Sequence, residues 1–365
     1  MSTKQLSTHR ELRVDAIGGG YPVYLAPRGS LPELLKKHGD SNKRCFVITD
    51  DNVAELYGAE IESLLEDAGF DVAMHIVPPG ETAKDLDNLA ALYRWSFAND
   101  IDRRSPVIAF GGGVVGDLAG FFAATVLRGV PLVHLPTTLV AQVDSSIGGK
   151  TGVNHQSGKN LIGSIYRPLF VLSDAALLDS LPDIEWRNGL AEVLKHALIR
   201  DRSFYETLRS DWAGIVERSG GAARDLVDRA VRIKIDVVEQ DERETGLRRI
   251  LNFGHTFGHA IERIAGYGVI GHGSAVALGM RAAIHASSKR GYSIPVGEVD
   301  GLLLPLRPDE LPRMPIDWLM QSMRKDKKRV GDVLHLILLS EIGQALVVDD
   351  ASEDEIRAAL EFALS

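Results

Sequence analysis

The chain has 365 residues, enough for two cores, and its 45% hydrophobic and 25% charged residues give an ordinary globular balance. With 41 basic and 50 acidic residues the net charge is −9, which excludes a nonspecific nucleic-acid binder but leaves room for a local basic pocket. No signal-peptide core opens the sequence, no run approaches the ~18 apolar residues of a membrane span, and the single cysteine, Cys45, excludes an intrachain disulfide, so a soluble cytoplasmic protein is expected. The 36 glycines exceed the usual share of about 7%, a sign of tight turns or of backbone that approaches a ligand.

After a polar start, residues 22–25 read as a short strand and 31–38 as a short helix. Residues 44–49 are a buried strand in which Cys45 is a small hydrophobe, and the polar groups at 49–52 cap the helix that follows. A third strand spans 72–77, and Leu86, Leu89, Leu92 and Trp95 give 84–99 a helical period. Residues 106–110 form another buried strand that runs into Gly111, Gly112 and Gly113. Such a turn suits either a pyrophosphate at a helix N-terminus or tight packing of strand on helix. Further strands at 132–135 and 170–172 complete an alternation that predicts a parallel sheet with ligands at its carboxyl ends. Between them, 142–163 reads as a polar loop carrying Asp144, Lys150, Asn154, Lys159 and Asn160, fit for a phosphate or for solvent.

A boundary falls at 181–183, and the patterns beyond it are mainly helical. Glu192 and Lys195 lie three apart on the first helix, a solvent ion pair or, among these apolar neighbours, a working carboxylate and amine. A helix at 232–240 carries Lys234. If 251–262 is helical, His255 and His259 share a face that Glu262 continues, and His272 returns one loop later. That set suits a divalent metal such as zinc, or a core helix whose histidines are satisfied by hydrogen bonds. Residues 275–290 form an apolar helix and 305–315 a proline-rich connector. Lys325, Asp326, Lys327 and Lys328 read as a basic loop before a strand at 334–339.

Taken together and in this order, the motifs resemble the 3-dehydroquinate synthase family of sugar-phosphate cyclases over nearly the whole chain. The most specific stretches are 111–117, 135–160, 189–195 and 251–262 with His272. The resemblance implies an α/β fold: an N-terminal dinucleotide-binding parallel-sheet domain over 1–182, and a C-terminal mainly α-helical metal- and substrate-binding domain over 183–365, with the active site in the cleft between them. It implies zinc or cobalt on Glu192, His255 and His272, and moves His259 from the ligand set to the neighbourhood of the substrate phosphate. It implies NAD beside Asp50, Asn52, Glu81, Lys84, Gly112, Gly113, Val114, Asp117, Thr137, Thr138, Lys159 and Ser180. Catalytic pocket positions match Asp144, Lys150, Lys195, Lys234, Arg248, Asn252, His259 and Lys327, or Lys328 if the register slips by one. Asn160 and Lys159 match substrate-binding positions, and Arg128 matches one donated across a homodimer interface.

The implied reaction converts 3-deoxy-D-arabino-heptulosonate 7-phosphate to 3-dehydroquinate and phosphate in the shikimate pathway. It proceeds by transient NAD-dependent oxidation, phosphate elimination, reduction, ring opening and intramolecular aldol closure. Lys234 and Arg248 suit the substrate carboxylate. Relatives acting on sedoheptulose 7-phosphate or glucose 6-phosphate lack that group, and they resemble this chain less at Lys234, Arg248, Asn252 and His259. One position departs from the family: Gly273 is usually followed by Glu, and here by Ser274. The departure leaves an aminodehydroquinate synthase as an alternative and puts the support of His272 in question. A metal-dependent alcohol dehydrogenase of the glycerol dehydrogenase type shares the two-domain plan but has no need of the anionic pocket.

Overall fold

The computed structural model describes residues 10–15, 19–39, 43–219, 223–244, 246–266, 268–329 and 334–365, the side chains of 325–329 excepted. The chain divides into two compact units, Met1–Leu181 and Pro182–Ser365.

The first unit holds strands β1 (Arg10–Val14), β2 (Tyr21–Leu25), β3 (Arg44–Asp50), β4 (Asp71–Val77), β5 (Val107–Gly111), β6 (Leu132–Pro136), β7 (Lys150–His155), β8 (Gly158–Ile165) and β9 (Phe170–Ser173). Its helices are α1 (Leu31–His38), α2 (Asp51–Val53), α3 (Ala59–Asp67), α4 (Leu86–Ala98) and α5 (Gly113–Thr125). Seven strands form one sheet in the order β1-β2-β9-β6-β5-β3-β4. Neighbours from β2 to β4 are parallel, whereas β1 pairs antiparallel with β2. The polar start therefore contains an edge strand, hidden because most of its side chains meet solvent. On β3, Cys45 and Val47 join one apolar layer with Leu31, Leu35 and Ile61, while Phe46 and Ile48 join the other with Leu89, Leu92 and Leu118. Burial on both faces is why these strands read as unbroken apolar runs. Burial also pushes the Cys45 thiol up to about 12, with Asp71 adding to the shift. The native protein is accordingly expected to show no reaction with an aromatic disulfide reagent at neutral pH, and one thiol per chain after denaturation.

The stretch read as a polar loop is in part an antiparallel hairpin of β7 and β8. Small residues disguise it. Gly152 pairs with Gly163, and a Cβ on Gly152 would stand 2.6 Å from the Ile162 carbonyl oxygen, so the strands approach where a strand predictor sees only glycine.

The second unit holds α6 (Asp183–Arg200), α7 (Arg202–Ser210), α8 (Trp212–Val216), α9 (Ala223–Gln240), α10 (His255–Ala265), α11 (His272–Lys289), α12 (Val296–Leu303), α13 (Ile316–Arg329) and α14 (Glu353–Leu364). A small hairpin of β10 (Leu336–Glu341) and β11 (Gln344–Val348) accompanies them. The buried α11 packs against α6, α10 and α14. Glycines bring α10 and α11 together: a Cβ on Gly279 would lie 1.9 Å from the Gly254 carbonyl oxygen. The 3-10 turn at Leu247–Asn252 ends at Phe253, whose backbone leaves the helical region, and Gly254, left-handed at φ 78°, is the N-cap of α10, which therefore begins at His255 and not at 251. Residues 325–328 continue α13 instead of forming a loop. Lys327 and Lys328 thus sit on a helix, and their side chains lie outside the described residues. None of the described helices is long and apolar enough to cross a membrane.

Candidate active site

In the second unit, α6 carries Glu192 and Lys195, each with a side chain 1% exposed, and the Lys195 ammonium lies against the Glu192 carboxylate. The first residue of α10 is His255, and the first of α11 is His272. Their Nε2 atoms stand 3.6 and 3.7 Å from Glu192 Oε1. One ligand atom from each of the three lies within 4.8 Å of the others. Bonds of about 2.0–2.1 Å to a shared tetrahedral ion put neighbouring ligand atoms about 3.4 Å apart, so the donor set fits one divalent metal with a position left for substrate. His255 Nδ1 lies 3.2 Å from the Phe253 carbonyl oxygen; donating there leaves Nε2 as the lone-pair nitrogen facing Glu192. Burial, and then the charge of Lys195, hold His255 well below the ordinary imidazole range, which keeps the ring neutral.

His259 is exposed, with its ring centre 5.4 Å from that of His255. Helical spacing pairs these two histidines, but it is His272, from across the loop, that meets Glu192. The neighbouring α9 bears the buried Lys234 and packs on both α6 and the turn at Leu247–Asn252. Arg248 on that turn is also buried; its Nη1 donates to the Glu242 carbonyl at 2.6 Å and its backbone N–H to the Asp241 carboxylate at 3.0 Å. Asn252 is held by Glu244, through Nδ2 to Oε1 at 2.8 Å.

In the first unit, β5 delivers the glycine turn. A Cβ on Gly111 would stand 2.6 Å from Val115, so that glycine answers to packing. Gly112 occupies the N-cap of α5 and gives it no side-chain cap, leaving N–H groups of Gly113 and Val114 at an open helix start that suits an anion. Thr137 donates its backbone N–H to the Gly111 carbonyl, and its buried Oγ1 has no hydrogen-bond partner, which fits a ligand polar group beside the turn. Thr138 Oγ1 accepts from the Ala141 N–H.

Nearby, the buried Lys84 ammonium donates to the Asp117 carboxylate and to Asn160 Oδ1. Burial raises the Asp117 carboxyl and the Lys84 charge opposes that rise. Asn154 joins the group, with Nδ2 to Glu81 Oε1 at 2.8 Å and Oδ1 accepting the Asn160 N–H at 2.9 Å. Asn160, matched to the substrate, therefore shares one network with Glu81, Lys84 and Asp117, matched to the dinucleotide. Asp50 caps α2 by accepting the Val53 N–H, and Ser180 accepts the Tyr57 hydroxyl at 2.7 Å. Asn52, Arg128 and Lys150 are exposed, and Asp144 and Lys159 are partly so.

Sequence reasoning missed Asn188. Its Oδ1 accepts the Ser274 N–H at 3.1 Å, capping α11 from another helix where Gly271 supplies no cap. The signal was available: Asn188 stands four residues before Glu192, on the same face of α6.

The chain matches the family models described as 3-dehydroquinate synthase N-terminal, over residues 74–188, and 3-dehydroquinate synthase C-terminal, over 189–329. It is 45% identical over 356 residues to the 3-dehydroquinate synthase of Salinibacter ruber, spanning 96% of this chain and 97% of that protein. Among solved structures, the 2-epi-5-epi-valiolone synthase of Streptomyces hygroscopicus, with NAD⁺ and Zn²⁺ bound, superposes with a TM-score of 0.87 at 30% identity, covering 97% of this chain and 99% of that one. A 2-deoxy-scyllo-inosose synthase complexed with carbaglucose-6-phosphate, NAD⁺ and Co²⁺ gives a TM-score of 0.86 at 26% identity, covering 96% and 99%. Both halves match in order and the alignment runs almost end to end, so the chain belongs to the 3-dehydroquinate synthase family.

Proposed function

We propose that this chain is a 3-dehydroquinate synthase of the shikimate pathway, a lyase converting 3-deoxy-D-arabino-heptulosonate 7-phosphate to 3-dehydroquinate and phosphate. The observation that supports it most is the buried set of Glu192, His255 and His272 beside Lys195, in a chain so similar over its length to a named synthase. Glu192, His255 and His272 hold zinc or cobalt, which supplies polarisation of substrate oxygens, and NAD on the Gly112–Gly113–Val114 turn supplies reversible hydride storage.

The chain's own residues do the rest. Lys195 balances the buried Glu192 charge and presents an ammonium where a proton is needed. Lys234 and Arg248 take the substrate carboxylate, the guanidinium held in place by the Glu242 carbonyl. Asn252, fixed by Glu244, orients the ring. By resemblance, Lys150, Asn160 and His259 are assigned to the phosphate end, and Asp144, Lys159 and Lys327 to other positions for the substrate. Asp50 and Asn52 serve the adenosine ribose, with Glu81, Lys84, Asp117, Thr137, Thr138 and Ser180 along the remainder of the cofactor. On this reading the enzyme works in the cytoplasm as a homodimer, with the exposed Arg128 reaching the neighbouring substrate site.

Retention of Lys234, Arg248, Asn252 and His259 favours the carboxylated heptulosonate over sedoheptulose 7-phosphate. The test follows phosphate release from 3-deoxy-D-arabino-heptulosonate 7-phosphate with NAD⁺ and zinc or cobalt, together with absorbance for NADH. Phosphate with dehydroquinate and no net NADH is the expected result. Release only from an amino analogue or from sedoheptulose 7-phosphate moves the protein to a sister activity, and steady NADH from simple polyols overturns the cyclase reading.

A further inference from the structure

We infer that Glu262 is the positioning residue for His272: its carboxylate accepts a hydrogen bond from Nδ1–H of that imidazole and so turns Nε2 toward Glu192 and His255. The inference rests on the ligand set proposed above. Glu262 Oε2 lies 3.5 Å from His272 Nδ1, while Nε2 of the same ring lies 3.7 Å from Glu192 Oε1, so the two nitrogens face two different carboxylates. The Glu262 side chain is only 6% exposed, a placement that is costly for a carboxylate without a partner. The His272 side chain, by contrast, is 40% exposed at the first position of α11, and a hydrogen bond at one ring nitrogen determines what the other presents.

The two imidazoles of the set are then held by different means. His255 hands its outer nitrogen to a backbone carbonyl, Phe253 O, which fixes it through the chain itself. His272 hands its own to a side chain on α10, so the orientation of an α11 ligand depends on α10. This also answers the departure at Ser274. That residue is fully buried and its N–H is taken by Asn188, so the carboxylate on the outer nitrogen of His272 comes from position 262 and does not require Glu at 274.

His259, Glu262 and His272 also bring ligand atoms within 4.8 Å of one another, which makes Glu262 as a ligand of a second ion the competing arrangement. The experiment titrates the full-length metal-free protein with Co²⁺ against a competing chelator. It reads affinity, stoichiometry and the visible cobalt spectrum in wild type, Glu262→Ala, Glu262→Gln and Glu192→Ala. One ion per chain is expected in wild type, with affinity about 10–100-fold weaker and an altered cobalt spectrum in Glu262→Ala. Glu262→Gln, which keeps an acceptor oxygen and the side-chain shape, should lose less; it carries the test if the alanine variant does not fold. The inference is overturned if both variants bind within about twofold of wild type, or if wild type holds two ions and Glu262→Ala holds one. If Glu192→Ala leaves binding unchanged, it is the underlying ligand set that fails, a result distinct from failure at Glu262 alone.

Discussion

Glu192→Gln should lower the rate of phosphate release by about 10³-fold or more, the scale of losing several kcal/mol of charge stabilisation at the reacting oxygen. Two losses coincide in this variant. The amide is a poor ligand for a hard or borderline cation, so the proposed set would shrink to two imidazoles. The Lys195 ammonium, 1% exposed, also loses the carboxylate it lies against, which weakens the compensation of a buried charge. Chelator treatment of the wild-type enzyme is expected to produce the same fall in rate, restored by zinc or cobalt, whereas the variant stays slow when metal is added back. A rate within about tenfold of wild type would remove Glu192 from the ligand set.

The second large effect belongs to the fold that supports the site. Gly279→Ala puts a methyl 1.9 Å from the Gly254 carbonyl oxygen and 2.7 Å from the Gly258 nitrogen, contacts with backbone that no side-chain rotation relieves. Gly254 cannot move aside readily, because its left-handed conformation sets where α10 begins. A loss of about 3 kcal/mol or more is expected, read as a lower urea midpoint or as failure to accumulate in soluble form. Gly301→Ala provides the contrast: it lies within α12 with nothing close to its Cβ position. That change should raise stability by about 0.5–1 kcal/mol, through lower backbone entropy in the unfolded chain. Equal effects from the two substitutions would mean that the approach of α10 to α11 is not what the glycine at 279 serves.

The parts of the fold that were legible in the sequence are those where burial is complete. Strands β3, β5 and β6 are covered on both faces, so their apolar runs are unbroken and announce a parallel sheet. The strands that escaped, β1, β11 and the β7–β8 hairpin, are half-exposed or built on glycine, and neither condition leaves a strong period in the residues. At the site, chemical types were visible but partnership was not. Helical periodicity pairs His255 with His259, yet the meeting of His272 with Glu192 depends on two helix packings and a loop return that no local period encodes. The parts played by Asn188 and Glu262 escaped for the same reason: each acts on a residue in another helix.

The bond from Asn188 to Ser274 joins α6 to the start of α11 through protein atoms alone. Gly273 seats against the Asn188 backbone at a distance that admits no side chain, so the seam is tight as well as bonded. The helix that bears Glu192 and the helix that begins with His272 are therefore fastened to each other just beside the ligands. If Glu192, His255 and His272 hold the ion as proposed, it would find its ligands close to their final places, and its removal by chelator is expected to leave the far-ultraviolet circular dichroism nearly unchanged. For a cell short of zinc or cobalt, the enzyme would then fall idle without falling apart, standing as an intact reserve that returns to work when metal does.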